Sequence, residues 1–267
     1  MLGSAVLTSY KLDPPLKWAG GKRWLVPHIE KYWNANTGFR LVELFSGGLA
    51  VALGLQSREA LLNDINEHVI NLYKWIQKGL FIEIDMLNKE EHYYKRREEF
   101  NRLIKKGKGD SKKAASIFYY LNRTGYNGLC RFNKSGEYNV PFGSYKTINY
   151  KRSFEEYEAL FSTWDFTQGD FGEIALSDRD FVYADPPYDV DFRQYSQNGF
   201  GWDDQVRLAE WLSIHKGPVL LSNQATARIT KLYKSLGFAL SFLDGPRRIS
   251  CNGDRSSAPE VLASKGF

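Results

Sequence analysis

Between residues 38 and 80 the sequence alternates twice between a short apolar run and a stretch whose apolar residues have helical spacing. The first run ends at Leu44 and is followed by a glycine turn and by residues 49–55, which we interpret as a helix. The second run, residues 60–64, precedes a helical pattern over residues 65–80. An order of strand, helix, strand, helix requires parallel strands. The sequence therefore predicts an α/β fold built on a parallel sheet.

This pattern stops and later resumes. Residues 85–113 are charged and helical in character, with basic residues in excess, and the chain is then rich in turns up to about residue 146. From Phe166 the α/β pattern returns, with further strands and helices through residue 236. We therefore predict a discontinuous main domain of residues 1–82 and 155–267, with an inserted subdomain of residues 83–154.

Bulk properties restrict the function only weakly. The formal net charge of +5 and the sequence pI of about 9.0 favour an anionic partner, although many proteins without one share these values. Cys130 and Cys251 lie far apart without a CxxC spacing, so neither a zinc cluster nor a disulfide framework is predicted. We find no secretion signal and no apolar run long enough to span a membrane, so we expect a cytoplasmic protein.

The sequence Asp185-Pro186-Pro187-Tyr188, the DPPY motif, follows directly after a predicted strand. It therefore lies at the carboxyl edge of the sheet, where open α/β folds bind ligands. The two prolines restrict φ and remove two donors, so the carboxylate, a prolyl carbonyl and the tyrosine ring are held in a fixed relation. Two acceptors beside a ring suit a planar amino group, because they favour the pyramidal nitrogen that attacks an electrophilic methyl. An ordinary strand exit with an incidental tyrosine is the other interpretation.

A glycine turn, Gly47-Gly48, follows the first predicted strand after Phe45 and Ser46. Glycine permits a ligand to approach the backbone closely, so this turn is a candidate site for the amino-acid portion of S-adenosylmethionine, with Phe45 beside the adenosyl group. Asp64, at the end of the next strand, suits the two ribose hydroxyls of a nucleoside. Glycine turns are common after strands in α/β proteins, so the turn alone fits many ligands.

A third motif near the N-terminus places a tryptophan and two glycines between basic residues, in Lys17-Trp18-Ala19-Gly20-Gly21-Lys22-Arg23. We expect Trp18 to pack against the cofactor and Lys22 to pair with the cofactor carboxylate, while Lys17 or Arg23 faces phosphate or a base edge. A packed tryptophan among solvated lysines fits this segment equally well.

Taken together, seven blocks of the sequence resemble the Dam-type DNA adenine methyltransferases in order and spacing, over nearly the whole chain. They comprise residues 17–22, 43–48, 63–66, 122–133, 139–143, 185–188 and 221–223. The resemblance implies a Rossmann-like methyltransferase sheet with an inserted, mainly helical target-recognition subdomain that carries a β-hairpin. It also implies S-adenosylmethionine as cofactor without a metal, and double-stranded DNA as partner, with no membrane and no obligate protein partner.

The resemblance also implies roles for individual residues. The catalytic residues would be Asp185, Pro186, Pro187 and Tyr188. The cofactor site would be formed by Trp18, Lys22, Phe45, Gly47, Gly48 and Asp64, with Asp170 and Phe171 beside the adenine ring, Asp185 touching both cofactor and target, and Tyr195 closing the pocket.

For DNA, the resemblance implies a hairpin within residues 126–142 that enters the major groove. Arg131 would read a guanine, since a guanidinium can bond O6 and N7 together. The further candidates for base or phosphate contact are Lys17, Tyr126, Asn127, Leu129, Asn133 and Pro141. The expected reaction is direct methyl transfer to a flipped-out adenine, with GATC as the expected site and a restriction-modification or phage setting.

Three alternatives remain open from the sequence. The chain could be a DNA-binding regulator on a methyltransferase scaffold that has lost turnover, although the intact DPPY motif and Asp64 argue against it. It could instead methylate cytosine, RNA or a protein amide, because the same acceptor geometry suits any planar amino group. The basic run of residues 95–113 either touches phosphates or is a solvated helical face.

Overall fold

The computed structural model describes residues 12–189, 199–245 and 258–267. Within these residues seven strands form one sheet and eight α-helices pack around it. The strands are β1 (Arg40–Glu43), β2 (Ala60–Asp64), β3 (Trp164–Gln168), β4 (Asp180–Ala184), β5 (Val219–Gln224), β6 (Ala239–Gly245) and β7 (Ala258–Lys265). The helices are α1 (Val26–Trp33), α2 (Ala50–Leu55), α3 (Glu67–Gln77), α4 (Glu90–Lys105), α5 (Lys112–Thr124), α6 (Glu158–Phe161), α7 (Trp202–Ser213) and α8 (Ala227–Ser235).

The sheet has the strand order β3-β2-β1-β4-β5-β7-β6. The first five strands are parallel, and β7 lies antiparallel between β5 and β6. The chain passes from β1 to β2 on one side, whereas β4 pairs with the other side of β1, so the strand order reverses between β1 and β4. Open sheets of this kind bind ligands in the crevice at that reversal. The predicted Rossmann-like α/β class is confirmed.

The elements around this crevice lie close to their predicted positions. β2 has the predicted bounds, and α2 and α3 begin slightly later than predicted. The start of α3 is fixed by Asn66, whose side-chain oxygen accepts hydrogen bonds from the amides of His68 and Val69. Asn66 therefore fixes the residue at which the turn after Asp64 ends and α3 begins.

The segment predicted as an insertion contains α4, α5 and a short hairpin. The aromatic side chains of Phe100, Phe118 and Tyr138 belong to the same buried core as Tyr73 of α3. The hairpin is narrow: the amide of Asn139 donates to the carbonyl of Arg131 at 3.1 Å, and an isolated antiparallel bridge joins Phe132 to Tyr138.

The two ends of this segment are adjacent, as shown by a hydrogen bond of 2.8 Å from the amide of Ile82 to the carbonyl of Arg152. The boundaries at 82/83 and 154/155 stay a prediction, since the helices share their core with α3. Among the described residues no helix is long and apolar enough to cross a membrane.

Candidate active site

The carboxyl ends of β1, β2 and β4 open into one cavity of about 480 Å³. It brings together the three motifs that the sequence analysis selected. The lining residues are Trp18, Ala19, Gly20, Gly21, Lys22, Glu43, Phe45, Ser46, Gly47, Gly48, Ala50, Val51, Asp64, Ile65, Asn66, Cys130, Tyr183, Asp185, Pro186, Pro187 and Tyr188.

The glycine turn is shaped by Trp18. A Cβ on Gly47 would lie 2.6 Å from Trp18 Nε1, and a Cβ on Gly48 would lie 2.8 Å from Trp18 Cβ. Gly47 also has φ +43°, a backbone conformation that residues other than glycine rarely adopt. The hydroxyl of Tyr73 donates to the Gly47 carbonyl at 2.6 Å, which stabilises the turn. The N-terminal motif and the glycine turn therefore form one wall of the cavity.

Asp64 is held by the backbone at this wall. Its Oδ2 accepts the Gly47 amide at 2.8 Å and its Oδ1 accepts the Asn66 amide at 2.9 Å. Burial raises the pKa of the Asp64 carboxyl, and the two amides oppose the shift. A carboxylate oxygen has more than one acceptor site, so each oxygen retains capacity for a ligand hydroxyl.

Glu43 is a second buried carboxyl in the lining that the sequence analysis did not select as a site residue. Its Oε2 accepts the amide of Ala52 at 3.2 Å. Burial raises the pKa of the Glu43 carboxyl well above its ordinary value. Glu43 is the last residue of β1, and the glycine turn begins four residues later, which is a signal that could have identified it.

Asp185 leaves β4 with its carboxylate fixed from two sides. Ser222 Oγ donates to Asp185 Oδ1 at 2.8 Å, and Lys22 Nζ lies 3.1 Å from the same oxygen. Ser222 is itself 2.8 Å from the hydroxyl of Tyr183. Burial raises the pKa of the Asp185 carboxyl, while Lys22 and Ser222 lower it. Both of these contacts are made to Oδ1, and neither of them involves Oδ2.

The buried side chains of Lys22 and Glu260 form a cluster with the partly buried Tyr188. Lys22, which is 4% exposed, donates to the hydroxyl of Tyr188, and that hydroxyl donates to Glu260 Oε1. Lys22 Nζ also lies 3.7 Å from Glu260 Oε2. Pairing of Lys22 with a cofactor carboxylate stays a prediction. Glu260 was not selected from the sequence, because it lies 72 residues after Tyr188 and outside any motif.

A second polar network lies behind the DPPY motif. Gln205 of α7 donates to the carbonyl of Pro187 at 2.8 Å, and Asn223 of β5 donates to Gln205 Oε1 at 3.0 Å. Asn223 also donates to the hydroxyl of Tyr233 at 3.2 Å. Gln205 and Asn223 are both buried, so the network orients the motif from inside the protein.

Asp170 and Phe171 do not line the described part of the cavity. Asp170 is paired with Arg207 at 2.6 and 2.8 Å, and the guanidinium of Arg207 lies 4.0 Å above the Phe171 ring. The Phe171 and Phe45 ring centroids are 5.8 Å apart, so Phe171 packs beside a residue that lines the cavity. Their contact with the adenine ring stays a prediction, and Tyr195 lies outside the described residues.

Arg131 is held across the hairpin by Asn139. Arg131 Nε donates to Asn139 Oδ1 at 2.8 Å, and an Arg131 NH2 group donates to the Asn139 carbonyl at 3.2 Å. The preceding residue, Cys130, lines the cavity and accepts a 3.3 Å hydrogen bond from Asn66. The cavity and the hairpin are therefore adjacent.

The other candidates for DNA contact surround this hairpin. Tyr126, Asn127 and Pro141 are exposed, and Leu129 is half-buried. Asn133 shapes the hairpin tip, since its Oδ1 accepts the amides of Ser135 and Glu137. Their roles toward DNA stay predictions.

Lys17 is also partly buried beside the hairpin. Its Nζ donates to the Arg123 carbonyl at 2.8 Å and lies 3.6 Å above the centroid of the Tyr145 ring. Burial and the charge of Arg123 lower the pKa of Lys17 to about 8. A Cβ on Gly128 would lie 2.8 Å from Lys17 Cβ, so the lysine lies where the predicted hairpin segment meets the N-terminal motif.

The sequence was also compared with those of known proteins. The family model of the D12 class N6 adenine-specific DNA methyltransferases matches residues 18–244. The chain belongs to this family. The methyltransferase is 39% identical to the retron Ec67 DNA adenine methylase of Escherichia coli, with 94% of this chain and 90% of that protein covered. It is 37% identical to a DNA adenine methylase of Vibrio cholerae serotype O1 (93% and 94% covered) and 32% identical to a type II methyltransferase of Methanocaldococcus jannaschii (92% and 95% covered).

The methyltransferase is therefore a DNA adenine methyltransferase, and its substrate is DNA. This family assignment confirms the resemblance and disfavours the cytosine, RNA and protein-amide alternatives. Within the described residues no group of three or more His, Cys, Asp and Glu side chains is placed to hold a metal ion.

Proposed function

We propose that this methyltransferase transfers a methyl group from S-adenosylmethionine to the N6 amino group of an adenine that is flipped out of duplex DNA, within the site GATC and without a metal. One observation carries the proposal. The glycine turn with Asp64 and the DPPY motif line the same cavity, so a nucleoside-type ligand at one end meets a base held at the other.

The cavity fits S-adenosylmethionine by size and chemistry. Trp18 and Phe45 supply aromatic walls, and Asp64 supplies acceptors for ribose hydroxyls. Ser46 Oγ is buried in the lining without a hydrogen-bond partner among the described residues, which suits a polar ligand atom. S-Adenosylmethionine, when bound, supplies an electrophilic methyl group on its sulfonium.

The protein's contribution to the transfer is positioning and hydrogen bonding. Asp185 and the Pro186 carbonyl accept from the hydrogens of the adenine amino group, which frees the nitrogen lone pair from the ring. As N6 gains the methyl group and the sulfonium becomes a neutral thioether, one amino proton leaves N6 along the hydrogen bond to Asp185. Ser222 and Lys22 keep the Asp185 carboxylate from rotating, and the Tyr188 ring supports the base by stacking. Holding two reactants in near-attack geometry is worth roughly 7 to 11 kcal/mol.

Recognition of GATC is assigned to the hairpin and its neighbours. Arg131 is positioned on the hairpin by Asn139, and a guanidinium at this place suits the O6 and N7 atoms of guanine. Leu129 and Pro141 offer apolar contacts, while Tyr126, Asn127, Asn133 and Lys17 offer polar ones. The adjacency of Cys130 to the cavity supports a short path from the recognised bases to the flipped adenine.

The experiment is transfer of labelled methyl from S-adenosylmethionine to a duplex containing GATC, compared with a duplex in which only that tetranucleotide is scrambled. Nucleoside analysis should give N6-methyladenine from the first duplex alone. Equal methylation of both duplexes would exclude GATC specificity and retain the chemistry. Asp185→Ala should abolish transfer while leaving the fold intact, as judged by a cooperative melting curve, and full activity of that variant would exclude the catalytic assignment.

A further inference from the structure

Glu260 is a buried carboxylate that does not line the cavity. It lies on β7, opposite Gln224 of β5, and it is 7% exposed. Burial of a carboxylate costs free energy unless it is paired and hydrogen-bonded. Within the described part of the chain, Oε2 has no hydrogen-bond partner, and the nearest cation is Lys22. Glu260 is therefore a buried hydrogen-bond acceptor whose charge is only partly compensated.

The contacts of Glu260 lead to the DPPY motif. Tyr188 receives a hydrogen bond from Lys22 and donates one to Glu260 Oε1. The bonds run in one direction, from the ammonium through the hydroxyl to the carboxylate, because the ammonium has donors only and an ionised carboxylate has acceptors only. Without an acceptor at residue 260, the Tyr188 hydroxyl would lose the partner that determines its direction.

Tyr188 is the residue whose ring orientation matters for the proposed reaction. Its backbone is already held, because the preceding Pro187 carbonyl accepts from Gln205. The ring can still rotate about its side-chain bonds unless its far end is anchored. Glu260 provides this anchor through the Tyr188 hydroxyl, and it is not among the residues that line the cavity.

We propose that Glu260 is a positioning residue for methyl transfer, which fixes the plane of the Tyr188 ring by accepting its hydroxyl hydrogen bond. This inference rests on the proposed function, in which the target adenine stacks on Tyr188. A competing role is purely electrostatic, with the Glu260 charge holding Lys22 near Asp185. The two roles predict different activities for a Glu260→Gln variant, which keeps an acceptor but loses the charge.

The test is a double-mutant cycle of Glu260→Ala and Tyr188→Phe, with Glu260→Gln as the conservative variant. An amide oxygen still accepts a hydrogen bond but carries no charge. We expect Glu260→Ala to lower kcat by about ten- to a hundredfold, because small displacements of a reacting group have effects of this size. KM for S-adenosylmethionine and the binding of S-adenosylhomocysteine should not change, and Glu260→Gln should recover most of kcat.

In the Tyr188→Phe background the hydroxyl is absent, so Glu260→Ala should cause little further loss. Glu210→Ala, an exposed glutamate on α7, is the matched control and should behave as the unchanged enzyme. If Glu260→Ala unfolds, as judged by its melting curve, the cycle is run with Glu260→Gln, which should then be nearly as active as the unchanged enzyme.

Three results would overturn the inference: full activity of Glu260→Ala, equal losses from Glu260→Ala in both backgrounds, or a Glu260→Gln variant that folds but is strongly impaired. The last two would favour the electrostatic role. Failure of the unchanged enzyme to methylate adenine in the same assay would overturn the proposed function as well. The activity of the unchanged enzyme therefore separates the two failures.

Discussion

Lys17 carries a positive charge that its surroundings disfavour. Burial and the neighbouring Arg123 lower the pKa of Lys17 to about 8, so its ammonium form predominates below that pH and is lost above it. An ammonium that contacts DNA contributes to affinity only while it is charged. We therefore expect the DNA affinity of the free enzyme to fall as the pH rises through about 8.

Fluorescence anisotropy with a labelled GATC duplex measures this DNA affinity at constant ionic strength, at about pH 7 and about pH 9. Lys17→Arg is the control, because a guanidinium stays protonated over this range and should give a flat profile. An equal decline in Lys17→Arg would assign the pH dependence to another group.

At the scale of single residues, the sequence predicted those that belong to contiguous motifs. Gly47 lies in the turn after β1, Asp64 ends β2 and Asp185 directly follows β4, and their place at the cavity follows from these positions. Glu260 and Ser222 act through partners that are distant in the sequence, 72 and 37 residues away. No local pattern specifies such contacts, since they exist only once β5 and β7 have joined the sheet.

At the scale of elements, α7 and β5 are joined behind the DPPY motif by Gln205. Its amide donates to the Pro187 carbonyl and accepts from Asn223, and Gln205→Leu removes both bonds. Loss of a partner for a buried polar group costs about 1–3 kcal/mol. We expect Gln205→Leu to lower the free energy of unfolding by about this amount and to lower kcat, because the motif loses a support.

Urea denaturation and initial-rate kinetics measure the two effects of Gln205→Leu. Glu210→Leu is the matched substitution on the exposed face of the same helix, and it should change stability by less than about 0.5 kcal/mol. A Gln205→Leu variant that keeps both the stability and the kcat of the unchanged enzyme would contradict a supporting role for this network.

The elements that the sequence predicted are those with a distinct periodicity. β1, β2, β4 and β5 are short apolar runs bounded by turns, and all four are buried parallel strands. β6 was not predicted, because most of its residues are exposed and show no apolar alternation. The placement of β7 between β5 and β6 depends on pairing between distant segments, which a local pattern does not encode.

At the scale of the whole molecule, the net charge of +5 does not locate the DNA-binding surface. Four of the nine basic side chains in residues 95–113 are paired with glutamates. The ion pairs are Arg96–Glu99 at 2.8 Å, Lys113–Glu99 at 2.5 Å, Lys105–Glu137 at 2.6 Å and Lys112–Glu83 at 3.3 Å. This arrangement favours the interpretation of the run as a solvated face that stabilises α4 and α5.

The salt dependence of DNA binding distinguishes the two surfaces. Each neutralised phosphate contributes about 0.9 to the slope of log affinity against log salt concentration. We expect Lys17→Gln to reduce the slope by about one such contribution. The double variant Lys112→Gln with Lys113→Gln removes more charge, but it should leave the slope unchanged because both lysines are paired with glutamates. If the double variant reduced the slope and Lys17→Gln did not, the DNA would lie along α5 rather than along the hairpin, and the proposed readout by Arg131 would have to be abandoned.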